Sequence, residues 1–152
     1  MYIITGAPDA RKSSVIRALT GIRDTKTFNI QFENSEKAFS THVMATSPNE
    51  LSVDAYPNGM TPQQLIDYLN NLNKNEAAVI MPLRSIEPNF DLPIASEYIQ
   101  ALVNAGFAIM PIAMFNDEIA LPTGVQGKVF ESNQSIPSNL IAMRLRVFWK
   151  IK

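Results

Sequence analysis

Hydrophobic residues in this chain form short apolar segments that alternate with segments of helical periodicity. Apolar segments without internal alternation, typical of strands buried on both faces, lie at 2–5, 77–83 and 107–115. Segments with helical spacing of their apolar residues lie at 12–20, from Pro62 onward, and at 94–105. Continuously apolar strands that alternate with helices are what a parallel sheet covered on both faces requires. The pattern therefore predicts an α/β fold with a mainly parallel central sheet.

The remaining elements are predicted from more local signals. The alternating segment FNIQF (28–32), a polar turn and a second run at 41–46 indicate a β-hairpin. The residues TPQQ (61–64) supply an N-cap threonine, a proline at the first helical position and a capping-box glutamine. Residues 127–132 are predicted to form a last strand. The segment 138–149 is predicted to be a closing helix, although its charged and apolar residues also alternate as in a strand.

Length, charge and composition limit the classes of function. The 152 residues suit one domain spanning 1–152, and the absence of cysteine excludes disulfides and cysteine catalysis. The net charge of -1 argues against a nucleic-acid partner. We expect a cytoplasmic protein without a membrane partner, because no apolar stretch approaches the roughly 20 residues of a membrane span and the first apolar run is too short for a secretion signal. The basic C-terminal RLRVFWKIK is either a solvated helix face or a small docking surface for an anionic partner.

The loop after the first predicted strand carries the clearest chemical signal. The sequence GAPDARKS (6–13) matches the phosphate-binding pattern G-x-x-x-x-G-K-[ST] at every fixed position except Arg11. Unpaired backbone N–H groups and the dipole at a helix N-terminus favour an anion. In this pattern a lysine contacts the terminal phosphates and the following hydroxyl ligates Mg²⁺. Those roles fall to Lys12 and Ser13.

This loop resembles that of the P-loop NTPase superfamily, in particular the GAPGSGKS form of small kinases and ATPases. Gly6, Ala7, Pro8, Lys12 and Ser13 match that form. The resemblance implies a three-layer P-loop-type domain that binds ATP or GTP with Mg²⁺. It implies a nucleotide site made of Gly6, Arg11, Lys12, Ser13 and Ser14, with Ser13 as the protein ligand of the metal.

Two departures from that form affect the expected chemistry. Asp9 puts a carboxylate where polyphosphate should lie, which weakens binding unless the charge is turned outward or neutralised. Arg11 keeps its backbone N–H and leaves the loop with a net charge of +1 together with Asp9 and Lys12. Its guanidinium neutralises Asp9 or contacts a phosphate in one interpretation. In the other, its side chain blocks a site that has lost its function.

The carboxylate that usually holds Mg²⁺ in an NTPase has no clear counterpart in the sequence. Glu50, Asp54 and Asp117 are the candidates, and each follows a predicted strand or lies close after one. Arg84 directly follows a buried strand, where it either faces a ligand crevice or lies on the surface. The single histidine, His42, lies inside a predicted strand and is interpreted as structural.

Two functions from different classes remain open at this point. The first is an enzyme or nucleotide switch that binds ATP or GTP, with weak hydrolysis or phosphoryl transfer. The second is a catalytically inactive scaffold or binding module that acts through protein partners. The loop lysine and serine favour nucleotide binding, whereas the unassigned metal carboxylate argues against efficient catalysis.

Overall fold

A central sheet of six strands organises the fold in the computed structural model, which describes residues 1–33, 35–51, 59–72, 78–86 and 91–152. The strands are β1 (Tyr2–Gly6), β2 (Lys26–Gln31), β3 (Ala38–Val43), β4 (Ala78–Arg84), β5 (Ile112–Phe115) and β6 (Gly127–Phe130). The helices are α1 (Lys12–Thr20), α2 (Pro62–Asn70), α3 (Ala95–Asn104) and α4 (Ser138–Trp149). The α/β class predicted from the sequence is confirmed.

The strand order across the sheet is β2-β3-β4-β1-β5-β6. Every neighbouring pair is parallel except β2 and β3, which form the predicted antiparallel hairpin. The sheet is therefore mixed but mainly parallel, as predicted. From β1 the chain leaves for β2 at one edge, and from β4 it crosses to β5 on the other side of β1. The carboxyl end of β1 thus lies where the direction of the connections changes, which is where open α/β sheets bind their ligands.

Helices pack on both faces of the sheet. Ile4 of β1 belongs to an apolar cluster that includes buried residues of α1 and α4. Ile3, whose side chain points to the opposite face, belongs to a second cluster formed with α2 and α3. This alternation explains why β1 is apolar at every position from Tyr2 to Ile4. Among the described residues, no helix combines the length and the apolar character needed to cross a lipid bilayer.

Local signals in the sequence account for the ends of the helices. Thr61 and Gln64 form both hydrogen bonds of the predicted capping box at the start of α2, with Pro62 as the first helical residue. Gly21 ends α1 in the left-handed region at a φ of 73° and donates its N–H to the Arg17 carbonyl. The segment 138–149 is a helix, so the alternative of a strand there is wrong.

Two strand predictions were too long, and a third was displaced along the chain. In the apolar run 107–115 only Ile112–Phe115 form a strand, because Phe107 N–H closes the end of α3 on the Leu102 carbonyl and Pro111 has no N–H to donate. The strand predicted at 41–46 lies three residues earlier, at Ala38–Val43. The strand predicted at 127–132 ends at Phe130.

Candidate functional site

The loop between β1 and α1 is a tight turn at the carboxyl edge of the sheet. Gly6 ends β1, and a Cβ atom at this position would lie 2.9 Å from the Ala10 Cβ and 3.1 Å from the Phe115 Cβ. Only glycine therefore fits here without moving its neighbours. The turn closes through a hydrogen bond of 3.2 Å from the Ala10 N–H to the Ala7 carbonyl. Helix α1 begins at Lys12, so its first N–H groups, at the end of the loop, have no partner within the helix.

Lys12 lies folded back under the loop. Its ammonium donates hydrogen bonds to the carbonyl of Gly6 at 3.0 Å and to the carbonyl of Ala7 at 2.7 Å. Only 5% of the residue is exposed. Burial lowers the pKa of the Lys12 ammonium to about 8, an effect that the charge of Glu50 opposes and that of Arg84 reinforces. At a pH close to this pKa, an anion placed beside the ammonium would strongly change the fraction of Lys12 that is protonated.

A pocket of about 280 Å³ opens directly over this lysine. It is lined by Asp9, Arg11, Lys12, Ser13, Ser14 and Glu50. The structure thus brings four of the five predicted site residues to one cavity, and Gly6 lies beneath it through the carbonyl that Lys12 contacts. The volume is slightly below the roughly 300–1,000 Å³ of typical small-molecule sites. It has room for a phosphate group or a short phosphate chain, with the rest of any ligand outside.

Of the two candidate metal carboxylates that the structure describes, Glu50 lines this pocket and Asp117 does not. It is half-buried and lies close enough to Lys12 to raise the pKa of the ammonium. Asp117 follows β5 and is exposed, outside the residues that line the pocket. Asp54 lies outside the described residues. Glu50 is positioned by the turn after β3, where its N–H bonds the Ser47 carbonyl at 3.2 Å.

Arg11 occupies a backbone conformation that favours glycine. It is the residue before α1, with a φ of 62° and a ψ of 19°, and Asp9 has a similarly positive φ of 60°. A non-glycine residue in this left-handed region costs about 1–2 kcal/mol. The phosphate-binding pattern therefore has glycine here because glycine adopts this conformation freely. Arg11 adopts the same conformation at a cost in strain.

The guanidinium of Arg11 fastens the loop to the connection between β6 and α4. It donates to the Asn133 carbonyl at 2.8 Å, to the Ile136 carbonyl at 2.5 Å and to the Ser138 hydroxyl at 2.7 Å. No hydrogen bond or ion pair between Arg11 and Asp9 occurs in this described region. Asp9 is exposed but lines the pocket, and its charge raises the pKa of the Lys12 ammonium, so it is not turned away from the site.

Arg84 lies next to the loop at the end of the neighbouring strand. The register of β1 and β4 places it opposite Gly6, and its charge is felt by Lys12. The buried side chain of Asn49 holds this strand end by accepting from the Arg84 N–H at 2.9 Å and donating to its carbonyl at 2.9 Å. Arg84 is the last residue of β4 and adds a cation near Arg11 and Lys12 at the carboxyl edge of the sheet, although it is not among the residues that line the pocket.

Several polar residues at this edge were not singled out by sequence reasoning. Asn49 is one of them. The hydroxyls of Thr5, Ser47 and Ser85 are others: all three are buried and make no hydrogen bond within the part of the chain that the structure describes. Thr5 and Ser85 lie at the ends of β1 and β4, and Ser47 follows β3. The sequence signal that could have identified these residues is that small polar residues occur at the ends of apolar strands or directly after them.

Other conspicuous residues have structural roles. His42 is buried, with its two ring nitrogens within 3.1 Å of the Thr27 hydroxyl and 2.9 Å of the Tyr68 hydroxyl. Trp149 donates its indole N–H to the Pro111 carbonyl at 2.8 Å and packs in the core beside α1. The Asn116 side chain joins the ends of β5 and β6 through both backbone groups of Ser132. His42 thus belongs to the packing of the sheet, as predicted.

No protein-family model, curated protein or solved structure matches this chain. The geometry of the pocket over Lys12 is therefore what indicates a function.

Proposed function

We propose that this protein binds ATP or GTP through its β1–α1 loop, with the phosphates in the pocket over Lys12. One observation carries the proposal: the pocket brings together Lys12, Ser13, the start of α1 and Glu50. A lysine, a hydroxyl and free helix N–H groups are the donors that a polyphosphate needs. A carboxylate opposite them is the partner that a phosphate-bound Mg²⁺ needs.

The donor set fits Mg²⁺ only as the companion of a nucleotide. Among the described residues, no three histidine or carboxylate side chains form a metal-binding group. Mg²⁺ usually takes one or two protein ligands and completes its shell with phosphates and water. Ser13 would ligate the ion through its hydroxyl, and Glu50 would hold it directly or through water. The ion would supply charge neutralisation along the phosphate chain.

Weak hydrolysis or phosphoryl transfer is the further activity that this arrangement would support. Such chemistry needs a group that positions the attacking nucleophile as well as the groups that hold the phosphates. Among the described residues, Glu50 is the carboxylate outside the loop that lines the pocket, and Arg84 is a further cation nearby. We propose binding as the primary function, with slow turnover if Glu50 has to hold the metal and position the nucleophile.

A specific observation also favours the alternative of an inactive scaffold. Both cations of the loop already have hydrogen-bond partners within the protein. Lys12 donates to two loop carbonyls, and Arg11 donates to three residues between 133 and 138. A loop retained only as a fold element would look like this. The alternative differs from the proposal in one measurable respect, the affinity for nucleotides.

Calorimetric titration with ATP and GTP, with and without Mg²⁺, tests the proposal. We expect saturable binding of at least one nucleotide that Mg²⁺ strengthens in the parent protein but not in Glu50→Gln. Lys12→Met keeps the buried stem and removes the ammonium, so it should weaken binding by about 1.5–3 kcal/mol, the value of a charge-assisted hydrogen bond. The control is Lys26→Met, which removes an exposed lysine on β2. If neither nucleotide binds at millimolar concentration, the scaffold is the better account.

A further inference from the structure

The outer edge of β6 offers unpaired backbone groups at the end of the sheet. The carbonyls of Gln126 and Phe130 accept from the N–H groups of Ile112 and Asn116, at 2.8 and 2.9 Å, so these residues face β5. Backbone groups alternate in direction along a strand, and those of the intervening residues therefore point outward. Gly127, Val129 and Glu131 make no backbone hydrogen bond to any described residue. An edge of this kind is a template for a further strand.

A groove runs along this edge, between β6 and helix α4. We call it the β6–α4 groove; its volume is about 430 Å³, and it is lined by Lys128, Val129, Phe130, Glu131, Arg144, Val147 and Phe148. The rings of Phe130 and Phe148 form an apolar floor, with centroids 5.2 Å apart and an edge-to-face angle of 67°. Among the lining residues, Val147 is 76% exposed and Val129 is 44% exposed.

The outer face of α4 extends this apolar surface. Leu140, Met143 and Val147 recur at helical spacing and are all exposed, with Met143 exposed by 62%. Residues in this pattern normally pack against another element. The floor, the stripe on α4 and the open strand edge are adjacent and together match what an extended peptide needs: backbone partners on one side and apolar contacts for alternate side chains.

The charges of the groove indicate the chemistry of its occupant. Lys128 and Arg144 are cations at its wall, and the Lys128 ammonium lies 5.6 Å from the centroid of the Phe130 ring. Glu131 is the single acid, and its carboxylate already accepts a hydrogen bond from the Asn133 side chain at 2.6 Å. We propose that the β6–α4 groove binds an extended segment of another protein whose face toward α4 carries both acidic and apolar side chains, and that this segment pairs with β6 as an added strand.

A second copy of this chain fits the groove less well. Two copies that paired through β6 would each bring Lys128 and Arg144 into the shared groove, with one Glu131 apiece to offset them. Like charges opposed across strands destabilise a pairing. An acidic strand removes that repulsion and pairs with both cations, so the charge pattern favours a different protein as the partner.

Fluorescence anisotropy with two labelled synthetic peptides tests this proposal on the full chain. One peptide has glutamate and valine in turn at every second position, with threonine between them, so that both side chains lie on one face of the strand, and the other peptide has lysine in place of glutamate. We expect the glutamate peptide to bind about tenfold more tightly than the lysine peptide, because its carboxylates pair with Lys128 and Arg144 whereas lysines there meet like charges. Arg144→Glu should narrow or reverse that preference, because it converts one cation at the groove wall into an anion.

A pair of variants at Val129 tests the backbone pairing. Val129→Pro removes an outward N–H at an edge position where proline is tolerated, and Val129→Ala trims the same side chain but keeps the N–H. We expect the proline variant to bind the glutamate peptide about tenfold more weakly than the alanine variant. Circular dichroism checks that both are folded; if the proline variant is not, the charge reversal at Arg144 decides.

Three results would overturn the proposal. The glutamate peptide binds no better than the lysine peptide, or the proline variant binds it as tightly as the alanine variant. Alternatively, sedimentation of the parent protein shows a dimer that Val129→Pro dissociates, which would make a second copy the occupant. Nucleotide binding at the loop takes no part in these outcomes, so they are independent of the proposed function.

Discussion

At the scale of single residues, Arg11 is where this loop differs most from a standard phosphate-binding loop. Its positive φ of 62° strains the backbone, and its guanidinium makes three hydrogen bonds to the connection before α4. The two effects oppose each other in the free energy of unfolding. Removing the side chain therefore does not by itself show how much the strain costs.

Comparison of Arg11→Gly with Arg11→Ala isolates that strain. Both variants lose the guanidinium, but only glycine adopts the left-handed region without a penalty, so we expect Arg11→Gly to be more stable than Arg11→Ala by about 1 kcal/mol. Urea denaturation of both proteins, with equal slopes, measures the difference. Equal stability, or a more stable alanine variant, would mean that the backbone at this position is not left-handed in solution.

Lys12 is the residue that joins the fold to the proposed chemistry. Its ammonium is stabilised by two loop carbonyls but is buried, and burial lowers its pKa to about 8. In the unfolded chain this lysine titrates near its ordinary value of 10.5. The unfolded state then binds more protons between these two values, so Lys12 makes stability rise with pH across that interval. Below pH 8 the buried charge is a cost to the fold.

At the scale of elements, the β1–loop–α1 unit was predictable because its signals are local. An apolar run, a glycine and a helical pattern follow one another within residues 2–20, and the observed strand and helix match the predicted ones. The start of α2 was predictable for the same reason, since a capping box depends on residues three positions apart.

Features that depend on contacts distant in sequence were not predictable. Glu50 could be proposed only as one of three carboxylates, because its position over Lys12 depends on how β3 sits in the sheet. The partners of Arg11 lie more than 120 residues away along the chain. The apolar run 107–115 has the composition of a strand throughout, yet residues 107–111 close helix α3 and return to the sheet. Periodicity does not distinguish these two uses of apolar residues.

A substitution at Gly6 tests how tightly the β1–loop–α1 unit is packed. Gly6→Ala places a methyl group against the Cβ atoms of Ala10 and Phe115, which we expect to lower the free energy of unfolding by about 1–3 kcal/mol. Adding Ala10→Gly removes the nearer of the two contacts, so the double variant should recover part of that loss. Chemical denaturation of the four proteins in this cycle gives the coupling energy. Strictly additive effects would show that the two residues do not meet.

At the scale of the whole molecule, the two proposed surfaces lie in different parts of the sheet. The phosphate pocket is at the carboxyl end of the central strand β1, where the connections change direction. The β6–α4 groove is at one outer edge. Arg11 links the two regions physically, because its hydrogen-bond partners belong to the segment that leads from β6 into α4.

Proton uptake on nucleotide binding tests the central claim, that a polyphosphate binds beside Lys12. With a pKa of about 8 the lysine is about half ionised at pH 8 in the free protein. A bound polyphosphate stabilises the ammonium and raises that pKa, so the complex must take up a proton. Because binding takes up a proton, the affinity for the polyphosphate falls as the pH rises above 8. The N-terminal amine of Met1 donates a hydrogen bond to the Ala108 carbonyl. Burial lowers its pKa to about 6, so it does not titrate near pH 8.

The measurement is calorimetry of Mg²⁺-ATP binding at pH 8 in two buffers of different ionisation enthalpy, Tris and HEPES, for the parent protein and Lys12→Met. We predict uptake of about half a proton per site by the parent protein, less at pH 6.5 where Lys12 is already charged, and none by the variant. Binding without proton uptake at pH 8, or with equal uptake in both proteins, would contradict a polyphosphate site at Lys12.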